Sequence, residues 1–267
     1  MKAKKSLGQH FLNHGPSIQH IVDAAGIGAK DLVVEIGPGH GVLTGLLLER
    51  AGRVIAIEID DNLCGKLAER FAHVGHFQLI HRDVQQVDLA TLVHESGCRR
   101  AILVGNLPYF ITGILLRQIT DARHAWLRAV IMVQREVAQR MVALPGCKDY
   151  GVLSAVIQVR CIPRRLFDLP PDAFSPPPKV HSSVLSLDFE TPSPYHLENE
   201  AQFLQVVRTA FQQRRKMLHN TLRPLILQKG TDFQMVFEAA EVDGNLRPEA
   251  VSIEKFERIC RVLSTCK

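Results

Sequence analysis

Five short apolar segments, separated by helical stretches, constrain the fold of this 267-residue chain more than any other feature. They are residues 32–36, 54–58, 77–80, 101–104 and 129–133. Each is a nearly continuous apolar run, which indicates a strand buried on both faces. Strands of this kind with helices between them are typical of a parallel sheet. We therefore predict an α/β fold with a mostly parallel sheet, and two later runs, residues 153–160 and 184–189, as antiparallel strands at one edge.

A Pro-containing segment, residues 190–194, has the composition of a linker. Beyond it, Phe203, Val206, Val207 and Ala210 repeat at spacings of 3 and 4, which indicates a helix. Similar patterns continue towards the end of the chain. We predict a large α/β domain over residues 1–192 and a small all-helical domain over residues 193–267.

Composition excludes several classes of protein. Hydrophobic residues make up 46% of the chain and charged residues 22%, as in globular proteins. No apolar run approaches the roughly 20 residues of a membrane helix, and the basic opening lacks the apolar core of a secretory signal. The 6 cysteines form no C-x-x-C pair, and the 12 histidines show no metal-binding spacing. We expect a protein of the reducing cytoplasm with no membrane contact and no bound metal.

A glycine-rich loop follows the first predicted strand. Gly37, Gly39 and Gly41 have the spacing G-x-G-x-G, and the acidic Glu35 precedes them. Glycines at such a turn let the backbone approach a bulky ligand, although a dinucleotide could also use this type of loop. A carboxylate at this point would repel a pyrophosphate but not a ligand that carries a sulfonium and an ammonium group.

Acidic residues also follow the next two strands. Glu58 ends the second strand, where an acid can accept from both hydroxyls of a ribose. Asp83, followed by Val84, comes after the third strand and could accept from the amino group of an adenine. One such acid could simply be a helix cap or a solvated charge. The glycines and three acids at successive strand ends together indicate a pocket for S-adenosyl-L-methionine.

The tetrapeptide Asn106, Leu107, Pro108 and Tyr109 follows the fourth predicted strand. The amide side chain and an unpaired backbone carbonyl could accept hydrogen bonds from the amino group of a nucleobase, on whose ring Tyr109 could stack. Asn and Pro are also common in turns, so a plain turn is the alternative. Its place at a strand's carboxyl end, where open α/β sheets bind ligands, favours a catalytic site.

Positive charge is clustered in two parts of the chain, whose net charge is +5. Residues 1–22 contain three lysines and no acid. Residues 208–223 also lack an acid and contain Arg208, Arg214, Arg215, Lys216 and Arg223. Such clusters are typical of nucleic-acid binding, although each could be a solvated helix face.

Motifs along nearly the whole chain resemble those of the ribosomal RNA adenine dimethyltransferases, in particular those that act on the bacterial small subunit. They are residues 5–12, 35–41, Glu58, Asp83, 106–109, 174–180 and 211–216. One residue departs from the family pattern: His10 stands where the family usually has asparagine. We expect its imidazole to hydrogen-bond the carboxylate or ribose region of the cofactor.

The resemblance implies a class I methyltransferase (Rossmann-like) fold with a helical carboxyl-terminal domain. It implies dimethylation of two neighbouring adenosines near the 3′ end of 16S rRNA, in the immature 30S ribosomal subunit, by a monomer. It also implies cofactor contacts at His10, Leu12, Gly37, Glu58, Asp83 and Asn106. We expect Phe174 to cover the face of the target base opposite Tyr109, although its proline-rich segment could simply be a rigid loop. Lys179 could contact phosphate or stay in solvent.

Three alternatives remain open from the sequence. The chain could dimethylate large-subunit RNA, as macrolide-resistance enzymes do. It could be a non-catalytic assembly factor that binds RNA. It could also be a nicotinamide-dependent oxidoreductase, which Glu35 and the loop spacing disfavour.

Overall fold

The computed structural model describes residues 9–265. The three amino-terminal lysines, the first part of the 5–12 motif and Cys266 lie outside the described residues. The chain divides into two compact units. The first runs to Ala138 and continues over Cys161–Pro192, and the second comprises Gln139–Arg160 and the chain from Ser193 onwards.

The first unit contains all the strands of the described chain and the helices that cover them. The strands are β1 (Phe11–Leu12), β2 (Leu32–Ile36), β3 (Arg53–Glu58), β4 (Phe77–His81), β5 (Ala101–Asn106), β6 (Trp126–Gln134), β7 (Ile162–Leu169), β8 (Phe174–Ser175) and β9 (Ser182–Asp188). The helices are α1 (Gly15–Ala25), α2 (Val42–Leu48), α3 (Asp61–Arg70), α4 (Leu89–Glu95) and α5 (Thr112–Asp121), and α6 (Arg135–Met141) spans the division between the units.

Seven strands form one sheet in the order β4-β3-β2-β5-β6-β9-β7. The first five strands in this order are parallel, and all five predicted strands are among them. Val34 of β2 pairs with Ile55 of β3 on one side and with Leu103 of β5 on the other. All five residues of β2 are buried, as expected for a strand covered on both faces. The predicted mostly parallel α/β fold is confirmed.

The antiparallel edge is present, but one of its two strands was wrongly predicted. β9, over the predicted 184–189 run, pairs antiparallel with β6 and with β7. Residues 153–160, predicted as a strand, form helix α7 (Val152–Arg160) instead. Ala155 and Val159, four residues apart, both enter the core of the second unit, so tertiary packing selects the helix in a short β-branched run.

The order of the strands places a crevice at the carboxyl ends of β2 and β5. The chain moves from β2 outwards through β3 to β4, and then returns to the other side of β2 to form β5. Open α/β sheets bind ligands at such a switch point. The two strands approach closely here: a Cβ added to Gly105 would lie 2.9 Å from the Ile36 carbonyl oxygen.

The second unit is helical in its described part. Its helices are α7, α8 (Glu200–Phe211), α9 (Leu218–Gln228), α10 (Phe233–Ala239) and α11 (Ile253–Thr265). Phe203 and Phe256 are fully buried in its core. The predicted domain over residues 193–267 omitted residues 139–160, which cluster with this unit because α7 supplies part of that core.

None of the helices within residues 9–265 is long and apolar enough to cross a membrane.

Candidate active site

A cavity of about 560 Å³ lies at the carboxyl ends of β2, β3 and β5, within the first unit. Its volume is in the usual range for a small-molecule site. Its lining includes most of the predicted site residues: His10, Leu12, Glu35, Gly37, Gly39, Glu58, Asp83, Val84, Asn106, Leu107, Pro108 and Tyr109. The structure thus brings together groups that are up to about a hundred residues apart in the sequence.

The glycine loop passes between β2 and α2 in a conformation that suits glycine. Gly37, Gly39 and Gly41 have φ values of 67°, 58° and 72°, in the left-handed region that residues with a Cβ rarely adopt. Space is also limited, because a Cβ on Gly39 would lie 2.9 Å from Cδ1 of Phe11 and one on Gly41 would lie 2.7 Å from Cδ2 of Leu67. Gly41 is not among the cavity-lining residues and acts at the start of α2.

Glu35 is a buried acid on the wall of the cavity. Only 1% of its surface is exposed, and Oε2 accepts a hydrogen bond of 2.6 Å from Oγ1 of Thr44. Burial raises the pKa of Glu35 to about 8, although the Thr44 hydrogen bond opposes the shift. A positively charged ligand in the cavity would favour the ionised carboxylate.

Glu58, at the end of β3, is held by backbone amides. Its Oε1 accepts from the Ile59 and Asp60 amides at 3.0 Å each, and its Oε2 accepts from the Gly39 amide at 3.3 Å. Burial raises the pKa of Glu58, while these three hydrogen bonds act to lower it. The carboxylate is therefore fixed beside the glycine loop, where remaining lone pairs can accept from further hydroxyl groups.

Asp83 begins a short 3₁₀ turn, Val84–Gln86, after β4. Its Oδ1 accepts from the Gln85 amide at 2.9 Å. The turn is also held from α5, because Nε2 of Gln118 donates to the carbonyl oxygens of Val84 and Val87. Sequence reasoning did not find Gln118, since nothing in a helical glutamine indicates a partner more than thirty residues away.

His10 joins two segments of the site. β1 pairs antiparallel with β8, and Nδ1 of His10 lies 2.8 Å from the Pro176 carbonyl oxygen. A carbonyl can only accept, so Nδ1 carries a proton. His10 thus uses Nδ1 to hold the loop after β8, and Nε2 remains for the expected contact with the cofactor, which stays a prediction.

Asn106, the last residue of β5, is oriented by the segment that contains His10. Its Nδ2 donates to the His10 carbonyl oxygen at 2.9 Å. Because that partner is an acceptor, the amide orientation is fixed and Oδ1 is the acceptor that remains for a ligand.

Leu107 and Pro108 form a turn that is held by backbone and side-chain hydrogen bonds. The tetrapeptide is therefore both a turn and part of the cavity wall. The Leu107 amide donates to the Met132 carbonyl at 3.0 Å. The Pro108 carbonyl accepts from the Ile111 amide at 3.1 Å and from Oγ1 of Thr112 at 3.0 Å.

Tyr109 is held in place at both ends of its side chain. Its hydroxyl lies 2.6 Å from Oγ of Ser182, and its ring centroid is 5.8 Å from that of His10 at an interplanar angle of 27°. Burial raises the pKa of Tyr109, so its phenol is neutral at ordinary pH. The ring is therefore a rigid, uncharged surface on the cavity wall.

Phe174 does not lie where the sequence analysis predicted. Its side chain is 3% exposed and packs in the apolar core with Val184, while Ser175 and Pro176 line the cavity. The pairing of Leu12 with Phe174 places the ring in the core, where burial of a large apolar side chain is favourable. The expectation that Phe174 covers one face of the target base is wrong for this structure.

The predicted RNA-binding residues lie outside the cavity lining and are exposed. Lys179 is in the first unit, and Arg208, Arg214, Arg215, Lys216 and Arg223 are in the second. Nε of Arg214 is 3.2 Å from Oε2 of Glu249, and Arg214 also donates to the Lys148 carbonyl. The guanidinium of Arg223 lies 5.9 Å from the Phe233 ring centroid. Part of the basic cluster is thus neutralised by an acid that lies far away in the sequence.

The sheet order, the glycine loop after the first parallel strand and the acids after the next two define the class of the protein. It is a class I methyltransferase with a helical second unit. The sequence model of the family "Ribosomal RNA adenine dimethylase" matches residues 1–265, and the chain belongs to this family.

Relatives with reviewed names agree with this membership. The chain is 41% identical over 260 residues to the "Ribosomal RNA small subunit methyltransferase A" of Xanthomonas oryzae pv. oryzae, covering 97% of this chain and 96% of the relative. It is 37% identical over 258 residues to the protein of the same name from Clostridium botulinum, covering 97% and 93%.

Solved structures show the same fold. A dimethyladenosine transferase from Plasmodium falciparum has a TM-score of 0.80 at 24% identity, covering 94% of this chain and 96% of that one. The 23S rRNA methyltransferase ErmE has a TM-score of 0.72 at 21% identity, covering 96% and 100%. The predicted family, fold and enzyme class, with S-adenosyl-L-methionine as the methyl donor, are therefore confirmed.

Proposed function

We propose that this protein dimethylates the exocyclic N6 amino groups of two neighbouring adenosines near the 3′ end of 16S rRNA. The observation that carries the proposal is the fixed orientation of Asn106, which leaves Oδ1 as an acceptor at the cavity. The name shared by the curated relatives, a small-subunit methyltransferase, supports the choice of RNA.

The cavity fits S-adenosyl-L-methionine, which supplies an electrophilic methyl group when bound. Two buried acids, Glu35 and Glu58, line the cavity, and neither forms a salt bridge within residues 9–265. Glu35 suits the positively charged end of the cofactor and Glu58 its ribose hydroxyls. Asp83 and Val84 suit its adenine, and the left-handed backbone of Gly37 and Gly39 forms the part of the loop that lines the cavity.

Asn106 and Leu107 would prepare the target amine. The lone pair of an adenine amino group is delocalised into the ring, so the amine is a poor nucleophile. If Asn106 Oδ1 and the Leu107 carbonyl accept its two hydrogens, the lone pair is localised and directed at the methyl group. Alignment of the reacting atoms then contributes most of the rate.

The proton needs no dedicated base. A methylated adenine ammonium is strongly acidic and releases its proton to water. Tyr109, neutral and held by Ser182, would stack on the base and keep it in the cavity. The adenine must first leave its stack, at a cost of a few kcal/mol.

The exposed basic residues would bind the RNA backbone. Arg208, Arg215, Lys216 and Arg223 of the second unit and Lys179 of the first are exposed and contribute charge without reading sequence. Arg214 contributes less, because Glu249 already pairs with it. We place the reaction on the immature 30S subunit in the cytoplasm, with the protein acting as a monomer.

A substrate comparison tests this function. The protein and labelled S-adenosyl-L-methionine are incubated with small subunits that lack the modification and, separately, with naked large-subunit RNA. Label in the small subunit alone is the expected result. Label in large-subunit RNA alone would contradict the proposal, and RNA binding without any transfer would identify a non-catalytic assembly factor.

A further inference from the structure

Phe110 is a large exposed aromatic side chain immediately after the Asn106–Tyr109 motif. It is 61% exposed, yet it also lines the cavity. Single exposed apolar residues are common in proteins, so exposure alone indicates nothing. The position at the rim of the candidate active site is what requires an explanation.

The turn that holds Tyr109 inward directs the next residue outward. Residues Tyr109–Ile111 form a 3₁₀ turn, in which successive side chains point about 120° apart. The Tyr109 hydroxyl is hydrogen-bonded to Ser182, while Phe110 is exposed to solvent. One aromatic side chain thus lies on the cavity wall and the next lies at its entrance.

Ile114 and Arg117 follow Phe110 at helical spacings of four and three residues, so the three side chains lie along one face. Ile114 is 54% exposed, and the Arg117 side chain is 74% exposed. Arg117 pairs with Asp121 at 3.4 Å, and such a surface pair is weak enough to be exchanged for a phosphate. Going away from the cavity, this face presents an aromatic ring, an aliphatic side chain and a cation.

We propose that Phe110 and Ile114 form a rim platform on which the nucleobase next to the target adenosine stacks. This inference rests on the proposed function. When an adenosine leaves its stack to enter the cavity, its neighbour loses a stacking partner. An aromatic ring at the cavity entrance replaces that partner for any base. Arg117 then lies on the same face, where it can pair with the backbone phosphate.

Kinetics of Phe110 variants on unmodified small subunits test the platform. Base stacking on an aromatic ring typically contributes about 1–3 kcal/mol, so Phe110→Ala is expected to raise KM for the subunit about 10-fold. A contact made equally in the ground and transition states leaves kcat unchanged. Phe110→Trp is expected to retain the wild-type KM, whereas Phe110→Leu behaves like Phe110→Ala. Leu166→Ala, which alters a 40% exposed leucine on β7, is the control and leaves KM unchanged.

A fluorescence measurement tests the contact without methyl transfer. An RNA hairpin with 2-aminopurine beside the target adenosine is bound in the presence of S-adenosylhomocysteine. Wild type and Phe110→Trp are expected to quench the probe, and Phe110→Ala is not. Equal quenching by wild type and Phe110→Ala would overturn the platform.

The outcomes separate this inference from the proposed function. A KM effect on intact subunits with no change in hairpin binding or quenching would assign Phe110 to a protein contact and overturn the nucleobase assignment. If the wild type transfers no methyl group, the proposed function fails, while the quenching result still decides the platform.

Discussion

At the scale of single residues, the chemistry depends on how neighbours fix otherwise adaptable side chains. An asparagine amide can be placed either way round, but the His10 carbonyl fixes Nδ2 of Asn106 by accepting from it. The sequence alone shows an asparagine at a strand end. It does not show which atom is left for the substrate, because the partner is 96 residues away.

Replacement of Asn106 should affect transfer more than folding. Asn106→Ala removes the acceptor Oδ1, and loss of one such oriented group typically lowers kcat by about 100-fold or more. Single-turnover transfer to small subunits is the measurement. Asn245→Ala, at an exposed loop position of the second unit, is the control and should retain wild-type transfer. Near wild-type transfer by Asn106→Ala would contradict the assigned role.

Glu35 is expected to make cofactor binding dependent on pH. Burial raises the pKa of this carboxyl to about 8, so with no cation beside it the group is mostly protonated at pH 7. A cationic ligand lowers that pKa, so binding releases a proton and affinity rises as pH increases from 6 to 8. Calorimetry in buffers of different ionisation enthalpy measures the released proton. Proton uptake on binding, or a falling affinity over this range, would contradict the role of Glu35.

The same carboxyl should reduce stability at high pH. Its folded pKa lies above its value of 4.5 in an unfolded chain, so its favourable contribution is complete below pH 4.5 and is lost as pH rises towards 8. Each pKa unit corresponds to about 1.4 kcal/mol. Glu35→Gln is expected to exceed wild type in unfolding free energy by at least about 1 kcal/mol at pH 8 and by less at pH 5, as urea titrations would show. Equal stability at both pH values would contradict this.

At the scale of elements, strands that are buried on both faces could be predicted from the sequence, and exposed or edge elements could not. The five parallel strands are apolar because both of their faces are covered, so they were predicted correctly. β7 was missed because it is an edge strand whose Arg164 and Arg165 are exposed. The neighbouring residues 153–160 were predicted as a strand because a short apolar run has no clear period, and packing within the second unit made it a helix.

Helix α5 is expected to support the cofactor turn through Gln118. Gln118→Leu removes the donor that holds the Val84 and Val87 carbonyls, each hydrogen bond contributing about 1 kcal/mol. Affinity for S-adenosyl-L-methionine should fall about 10-fold by calorimetry. Gln205→Leu, at an exposed position on α8, is the control. If both variants bind the cofactor equally, the turn does not depend on α5.

At the scale of the whole molecule, an ion pair made by the fold distinguishes one arginine of the basic cluster, residues 208–223, from its neighbours. Residues 208–223 contain no acid, so the local sequence offers no ion-pair partner for any of its five predicted RNA-binding cations. The fold brings Glu249 to Arg214 and leaves Arg215 and Lys216 exposed in the turn between α8 and α9. Pairing between residues 35 positions apart is a property of the fold, which the local sequence could not reveal.

The dependence of RNA binding on salt should reflect that difference. Arg215→Ala with Lys216→Ala is expected to reduce the slope of log K against log salt by about 1.4–1.8, as expected for two phosphate contacts. Arg214→Ala should reduce it by less than half of that amount. Titrations between 50 and 200 mM salt would measure the slopes. An unchanged slope in the double variant would contradict RNA binding by this turn.

The most direct test of the account is mass spectrometry of 16S rRNA from unmodified small subunits treated with this protein and S-adenosyl-L-methionine. N6,N6-dimethyladenosine is expected at two neighbouring positions near the 3′ end with the wild type, and its initial rate of formation is expected to be at least about 100-fold lower with Asn106→Ala. Methyl groups at another position, on another atom of the base, or formed at an equal rate with Asn106→Ala would contradict the account.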